Sequence, residues 1–154
     1  MPSPAEVIRL LKDKGLTLGS AESLTGGLFG AEVCKIPGAS SVYKGGIIAY
    51  TPAIKNALLG VSLDLIQDKG IVSHEVAYAM AEGGLKALEV DMCVSCTGNA
   101  GPTAQEGEEP VGSVYIGVTY QGQTKTMHLE LSGDRNQIRM QTVEKMFSLI
   151  SSVL

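Results

Sequence analysis

One polar turn organises the chain: Ala21-Glu22-Ser23-Leu24-Thr25-Gly26-Gly27. An apolar run precedes it and a helix-like run follows it, which gives the order strand, turn, helix. Gly26 and Gly27 let the backbone bend sharply and approach a ligand closely. The first turn of the following helix is expected to present unpaired N–H groups that favour an anion, with Ser23 and Thr25 beside them. These residues fit a nucleophile or phosphate site, although a simple capped helix explains them as well.

The length and composition indicate one globular domain, which we place at residues 1–154. The hydrophobic fraction is 44% and the charged fraction is 18%. The formal net charge of −4 argues against broad nucleic-acid binding, which favours a basic surface. No apolar run reaches the roughly 18 residues of a membrane span, and no signal peptide is visible. Three cysteines fit a reducing compartment. We therefore expect a cytoplasmic protein that binds neither nucleic acid nor a membrane.

Alternating strand and helix signals predict an α/β fold. Runs rich in β-forming residues predict strands at 17–21, 45–50, 91–97, 112–120 and 124–131. Caps and apolar periodicity predict helices from Ser3 to Gly15, at 26–35, 52–59, 63–68 and 74–88, and after Asp134. The last two strands form a predicted hairpin through residues 121–123. The expected architecture is a three-layer α/β/α sandwich with a mixed, mostly parallel sheet.

Ligand sites in such a fold lie in the loops that follow the strands. Lys55 is a candidate general base there, because it lies four residues after Thr51 in the first turn of a predicted helix. The positive end of that helix and burial would both favour a neutral amine, which can serve a nucleophilic serine. An exposed helix lysine is the ordinary alternative. Tyr50 ends the preceding strand and can relay a proton or orient the lysine if it points into the cleft.

Cys93 and Cys96 form a C-x-x-C pattern in a predicted strand. Strand residues three apart point to opposite faces, so the two thiols are not expected to pair. No second pair is present, and His74 and His128 are far apart in sequence. We therefore expect buried core cysteines, no bound metal and no cofactor.

Charged residues late in the chain allow two interpretations each. Glu106, Glu108 and Glu109 belong to a predicted loop at 98–111, which is either a solvated segment or a lid over the cleft. Arg135 and Arg139 lie one helical turn apart and can hold a phosphate, although surface arginines without such a role are common.

Several motifs occur in the order found in one known family. They are Ala21-Glu22-Ser23-x-Thr25-Gly26-Gly27, Gly38-Ala39-Ser40-Ser41, Gly45-Gly46-Ile47-Ile48-Ala49-Tyr50 with Lys55, Thr97-Gly98-x-Ala100-Gly101-Pro102, Pro110-Val111-Gly112 and Gly133-Asp134-Arg135. On these motifs, nearly the whole chain resembles the C-terminal domain of the competence-damage-inducible protein CinA, a domain that also occurs alone as nicotinamide mononucleotide deamidase. The chain departs from the family at residues 103–107, where a glycine pair is usual.

The resemblance implies hydrolysis of the carboxamide of nicotinamide mononucleotide (NMN) to nicotinic acid mononucleotide and ammonia, in pyridine-nucleotide salvage. It implies that Ser23 is the nucleophile, that Lys55 is its base and that Tyr50 assists. Thr97 is expected to line the site as a fourth catalytic residue. The expected substrate contacts are Thr25, Gly26, Gly27, Gly98, Ala100, Gly101, Arg135 and Arg139.

Three functions follow from these observations. The first is an amidohydrolase that acts through an acyl-enzyme, and the second is a non-catalytic nucleotide-binding regulatory module that uses the same turn. The third, a protein-interaction domain, is suggested by the competence name alone. The presence of both Ser23 and Lys55 favours the first, because binding alone needs no base. We also expect a homo-oligomer, with a dimer as the favoured state.

Overall fold

The computed structural model describes residues 2–154 as a five-stranded sheet between two layers of helices. The strands are β1 (Leu18–Glu22), β2 (Tyr43–Ile48), β3 (Met92–Gly98), β4 (Ser113–Tyr120) and β5 (Gln123–Glu130). The α-helices are α1 (Pro4–Asp13), α2 (Leu28–Cys34), α3 (Pro52–Leu59), α4 (Leu63–Lys69), α5 (His74–Leu88) and α6 (Arg135–Ser152), and a short 3₁₀ turn occupies Ala39–Ser41. None of the helices described combines the length and apolarity needed to cross a membrane.

The strand order is β2-β1-β3-β4-β5. β1 runs parallel to both of its neighbours, whereas β4 runs antiparallel to both β3 and β5. Four of the five strands therefore point in one direction, with β4 reversed. The predicted sandwich with a mixed, mostly parallel sheet is confirmed.

The two faces of the sheet carry separate apolar cores. Helices α1, α2 and α6 pack together on one face, and α3 and α4 pack on α5 at the other. Cys96 belongs to the core beneath α6, with Phe29 and Phe147, whereas Cys93 belongs to the core beneath α5, with Met80. The predicted placement of the two cysteines on opposite faces is confirmed, and both are buried free thiols.

Helix α2 and strand β2 differ from their predicted boundaries by two residues, and the other four strands differ by one residue at one or both ends. Helix α2 begins at Leu28 rather than at residue 26, because Gly26 and Gly27 adopt φ values of +56° and +101°, outside the helical region. Strand β2 covers Tyr43–Ile48 rather than 45–50. Its end comes early because the chain turns at residues 49–51 to begin α3, where the Thr51 hydroxyl accepts a hydrogen bond from the N–H of Ile54.

The late hairpin and the last helix form as predicted, except that Gln123 belongs to β5 and not to the hairpin turn. Tyr120 pairs with Gln123 across a two-residue turn in which Gln121 and Gly122 have positive φ. Helix α6 begins with a capping box in which Asp134 caps the helix and Gln137 bonds back to it. The hairpin and the final helix are therefore confirmed.

Helix α3 is held tightly against α5. At Gly83 of α5, an added Cβ would lie 1.9 Å from the carbonyl oxygen of Leu59, the last residue of α3. Only glycine permits this approach of two backbones. The contact fixes the distance between α3 and α5, and thereby the position of Lys55 in α3.

Candidate active site

Ser23 and Lys55 form a hydrogen-bonded pair where β1 ends. Lys55 Nζ lies 3.0 Å from Ser23 Oγ and 2.8 Å from the carbonyl oxygen of Ala49. The lysine is fully buried, and Ser23 is 7% exposed. Because Thr51 caps α3 at a fixed point, the first turn of that helix carries Lys55 inward beneath the serine. Residues 32 positions apart in the chain are thus brought into direct contact.

Burial gives Lys55 the character of a base. Desolvation lowers its pKa from 10.5 to about 8, and the nearby Cys96 opposes this change. No ion pair to Lys55 occurs within residues 2–154. At pH 7 about one tenth of the molecules therefore hold a neutral amine, by the ordinary titration relation. A neutral amine can donate to the carbonyl of Ala49 while its lone pair accepts the Ser23 proton.

The start of α2 is already occupied by a carboxylate of the chain itself. Glu22 is 1% exposed, and it accepts hydrogen bonds from the N–H groups of Gly27, Phe29 and Gly30. The expectation that these N–H groups are unpaired is therefore wrong. Thr25 is fully buried and donates its hydroxyl to the same carboxylate, so it faces Glu22 rather than a ligand.

A cleft of about 230 Å³ opens above the serine. Its walls come from the ends of β1 and β3, the 71–72 link between α4 and α5, and the start of α6. The lining residues are Ser23, Leu24, Tyr50, Ile71, Val72, Thr97, Gly98, Asn99, Ala100 and Arg135. Six of the predicted site residues are among them: Ser23, Tyr50, Thr97, Gly98, Ala100 and Arg135.

Arg135 supplies the positive charge of this cleft. Its Nη2 donates to the Tyr50 hydroxyl at 3.0 Å, and its Nη1 donates to the carbonyl of Gly101. Tyr50 is 55% exposed and bonds to Arg135 rather than to Lys55. Thr97 is buried in the cleft wall, where its hydroxyl donates to the carbonyl of Ile71 at 2.8 Å. The guanidinium is thus held at the cleft, close to an exposed phenol.

Arg139 has a different partner set from Arg135. Its Nε donates to the carbonyl of Leu24 at 2.9 Å and its Nη2 to the carbonyl of Thr25 at 2.8 Å. It does not line the cleft. These bonds hold the backbone of the Ser23 turn from the side of α6, whereas Arg139 was expected among the substrate contacts.

Asn99 was missed by the sequence analysis. Its side chain donates to the carbonyl of Glu109 at 3.1 Å and accepts from the N–H of Gly101 at 2.9 Å, so it ties together the two ends of the loop after β3. This loop forms one wall of a second chamber of about 520 Å³, which shares Ile71, Val72, Gly98 and Asn99 with the cleft. Glu108 and Glu109 line that chamber. An asparagine after a strand was the only available signal.

His74 and His128 lie near each other despite their separation in sequence. Their ring centroids are 6.4 Å apart, and Tyr115 stacks on His128 at 4.2 Å. Over residues 2–154, the structure shows no group of three or more His, Cys, Asp or Glu side chains arranged to hold a metal ion.

Sequence comparisons relate the chain to larger proteins. It is 45% identical over 145 residues to a putative competence-damage inducible protein of Halothermothrix orenii, which covers 94% of this chain and 35% of the relative. It is 48% identical over 135 residues to a protein of the same description from Bacillus cereus, which covers 87% of this chain and 32% of the relative. The chain thus spans about a third of the length of these curated relatives.

Solved structures show the same fold. A competence-damaged protein (CinA) superfamily protein from Escherichia coli superposes with a TM-score of 0.94 at 26% identity, covering 99% of this chain and 91% of that one. A competence/damage inducible protein from Agrobacterium tumefaciens gives a TM-score of 0.90 at 30% identity, covering 99% and 96%. The family described as CinA C-terminal domain matches residues 2–154. The chain therefore belongs to the CinA C-terminal domain family.

Proposed function

We propose that the protein is an amidohydrolase that converts NMN to nicotinic acid mononucleotide and ammonia through an ester on Ser23. The observation that carries the proposal is the 3.0 Å hydrogen bond between Ser23 Oγ and the buried Nζ of Lys55. A serine needs a base to attack an amide, and a desolvated lysine is one that proteins use for this purpose. The choice of NMN comes from the family resemblance.

The reaction begins when neutral Lys55 takes the proton of Ser23 as its oxygen attacks the carboxamide carbon. Nζ donates to both Ser23 Oγ and the carbonyl of Ala49 in the structure, and once the amine is neutral it can keep the bond to Ala49 while it accepts the serine proton. Protonated Lys55 then gives the proton to the departing nitrogen, and ammonia leaves an ester on Ser23. Lys55 next deprotonates a water molecule, which attacks the ester, releases the acid and restores the serine.

The charge of the inner cleft is compatible with an anionic nucleotide, and its size suits only part of one. Arg135 is the cation among its lining residues, and a guanidinium can bind a phosphate with two hydrogen bonds. The inner cleft of about 230 Å³ is small for a whole nucleotide, since typical ligand pockets begin at roughly 300 Å³. The adjoining chamber gives the substrate room beyond the carboxamide.

The non-catalytic alternative loses its main support. A phosphate-binding module required free N–H groups at the start of α2, and Glu22 occupies them. A binding module would also have no use for a buried lysine beside a serine, since burial of an ammonium group is unfavourable.

Ammonia release from NMN, coupled to detection of nicotinic acid mononucleotide, tests the proposal. We expect turnover by the wild type and none by Ser23→Ala, which keeps the turn's backbone and should still bind the substrate. Ser95→Ala is the matched control, because Ser95 is a buried serine that donates to the carbonyl of Ala77 on the α5 side of the sheet. Absence of ammonia from the wild type between pH 6 and 9, or full activity of Ser23→Ala, would show that the proposal is wrong.

A further inference from the structure

We infer that Glu22 is a positioning residue of the reaction: its carboxylate joins the end of β1 to the start of α2 and thereby holds Ser23 against Lys55. The inference rests on the proposed function, because it assigns Glu22 a part in presenting the nucleophile. Glu22 itself is buried behind the turn and does not line the cleft.

Five donors converge on this one side chain. Oε1 accepts from the Thr25 hydroxyl at 2.8 Å and from two backbone N–H groups at 3.0 and 3.1 Å. Oε2 accepts from the N–H of Gly30 at 3.2 Å and from the Ser20 hydroxyl at 3.1 Å. The two backbone donors to Oε1 are Phe29 and Gly27. These bonds connect Glu22 to residues on both sides of the turn.

The carboxylate has no cationic partner, since no ion pair to Glu22 occurs in the part of the chain that the structure describes. Its charge is balanced by the N–H groups of the first turn of α2, which have no carbonyl partners within their own helix. The Ser20 hydroxyl is bonded in turn to Tyr43 at 2.7 Å. The Ser20 hydroxyl has a single proton and donates it to Glu22, so the Tyr43 hydroxyl is the donor to Ser20. Both oxygens of the Glu22 carboxylate are thus surrounded by hydrogen-bond donors.

The consequence for Ser23 follows from connectivity. Glu22 is bonded to residues 27, 29 and 30, so residues 23–26 must project as a loop between two fixed ends. Ser23 is the first residue of that loop, directly attached to Glu22. Arg139 fixes the next two carbonyls, and the N–H of Gly26 closes the turn onto the Ser23 carbonyl at 3.0 Å. A change in the Glu22 carboxylate therefore moves the residue that must meet Lys55.

A glutamine at this position cannot satisfy the same donors. With its oxygen in the place of Oε1, its NH₂ group faces the N–H of Gly30, and two donors meet. With the amide reversed, the NH₂ group faces the N–H groups of both Gly27 and Phe29. Glu22→Gln keeps the volume of the side chain, yet it leaves at least one backbone donor unpaired in either orientation.

We expect Glu22→Gln to fold and to lose activity chiefly in kcat. A displacement of about 1 Å costs roughly 100-fold in rate, and this is the size of the loss expected for kcat. KM should change by less than about threefold, because the cleft residues around Arg135 are untouched. The second readout is the rate at which an alkyl fluorophosphonate labels Ser23, with a phosphorus–oxygen bond formed, fluoride released and the serine proton taken by Lys55. This rate should fall by the same factor.

Two sets of variants separate positioning from general stability. Thr25→Val and Ser20→Ala each remove one neutral donor and keep the carboxylate, so labelling should slow by only about threefold to tenfold. If circular dichroism shows that Glu22→Gln is unfolded, Thr25→Val and Ser20→Ala serve as the test in its place. Thr142→Val is the matched control, since Thr142 is a buried hydroxyl in α6 that donates to Ile138. Its melting temperature should fall with no change in the labelling rate.

The outcomes distinguish this inference from the proposed function. Fast labelling of wild-type Ser23 without ammonia release from NMN refutes the substrate assignment, and the Glu22 comparison is then decided by labelling alone. The inference is overturned if folded Glu22→Gln is labelled at the wild-type rate. If Glu22→Gln is unfolded, labelling of both Thr25→Val and Ser20→Ala at the wild-type rate overturns it. The inference is also overturned if Thr142→Val loses as much melting temperature as Glu22→Gln and its labelling rate falls by the same factor. An unlabelled wild-type Ser23 overturns both the inference and the proposed mechanism.

Discussion

Replacement of Lys55 by methionine is expected to change how the stability of the protein depends on pH. Burial lowers the pKa of Lys55 from 10.5 to about 8. Each pKa unit corresponds to about 1.4 kcal/mol, so the folded state bears up to about 3 kcal/mol of cost for the buried ammonium at neutral pH. Methionine has a similar volume and no charge, so the variant lacks this cost.

The sign follows from proton binding. Between pH 8 and 10.5 the folded state holds fewer protons on Lys55 than the unfolded state does, so the stability contribution of this residue improves as the pH rises. The cost is fully present below about pH 8 and disappears near pH 10.5. From pH 7 to pH 10 the stability of the wild type should therefore rise by roughly 2 to 3 kcal/mol relative to Lys55→Met.

The assay is urea unfolding followed by circular dichroism at several pH values between 7 and 10. The informative quantity is the change with pH of the difference between the two proteins. The absolute difference also contains the two hydrogen bonds that methionine removes, to Ser23 and Ala49. Cys93 and Tyr43, whose pKa values burial raises to about 12, lower the stability of both proteins at high pH and cancel in the comparison. Burial raises the pKa of Cys96 to about 11, and because this thiol interacts with Lys55, its contribution cancels only in part.

Lys86→Met is the matched control, because Lys86 is an exposed lysine of α5. Its stability difference from the wild type should not depend on pH over this range. If the difference for Lys55→Met is equally flat, the Lys55 amine is not destabilised by burial and the argument that it acts as a neutral base fails.

Further expectations concern the same site. Wild-type kcat should rise about tenfold from pH 7 to pH 9 as Lys55 loses its proton. Lys55→Arg should be nearly inactive in a steady-state assay because a guanidinium stays protonated, and an active Lys55→Arg would refute the base assignment. Arg135→Ala should raise KM by about 10- to 100-fold for NMN and by less for its dephosphorylated riboside; equal losses would mean that Arg135 does not read the phosphate. Gly83→Ala should lower stability by about 1–3 kcal/mol in urea unfolding, since its Cβ meets the backbone of α3 at Leu59; an unchanged midpoint would contradict the close packing described.

The parts of the site predicted from sequence are those set by local signals. The polar turn after an apolar strand located Ser23, and the Thr51-Pro52 cap located the first turn of α3 that carries Lys55. Both signals depend on a few adjacent residues. The meeting of the two side chains followed from the rule that loops after parallel strands share one edge of the sheet.

Contacts made across the fold were not predictable in the same way. Arg135 and Arg139 look equivalent in sequence, but the docking of α6 places one at the cleft and the other on the turn backbone. Glu22 looked like an ordinary residue of the motif, because its five donors are assembled only when α2 folds back on β1. Ile71 and Val72 carry no chemical signal, and they enter the cleft through the packing of α4 and α5.

Rapid-quench mass spectrometry of the enzyme during turnover of NMN tests the central claim most directly. We expect the peptide that contains Ser23 to gain the mass of NMN less ammonia within the first turnover, with no such gain in Lys55→Arg. Turnover of NMN in which no adduct forms on Ser23, or in which the adduct maps to another residue, would contradict the acyl-enzyme mechanism.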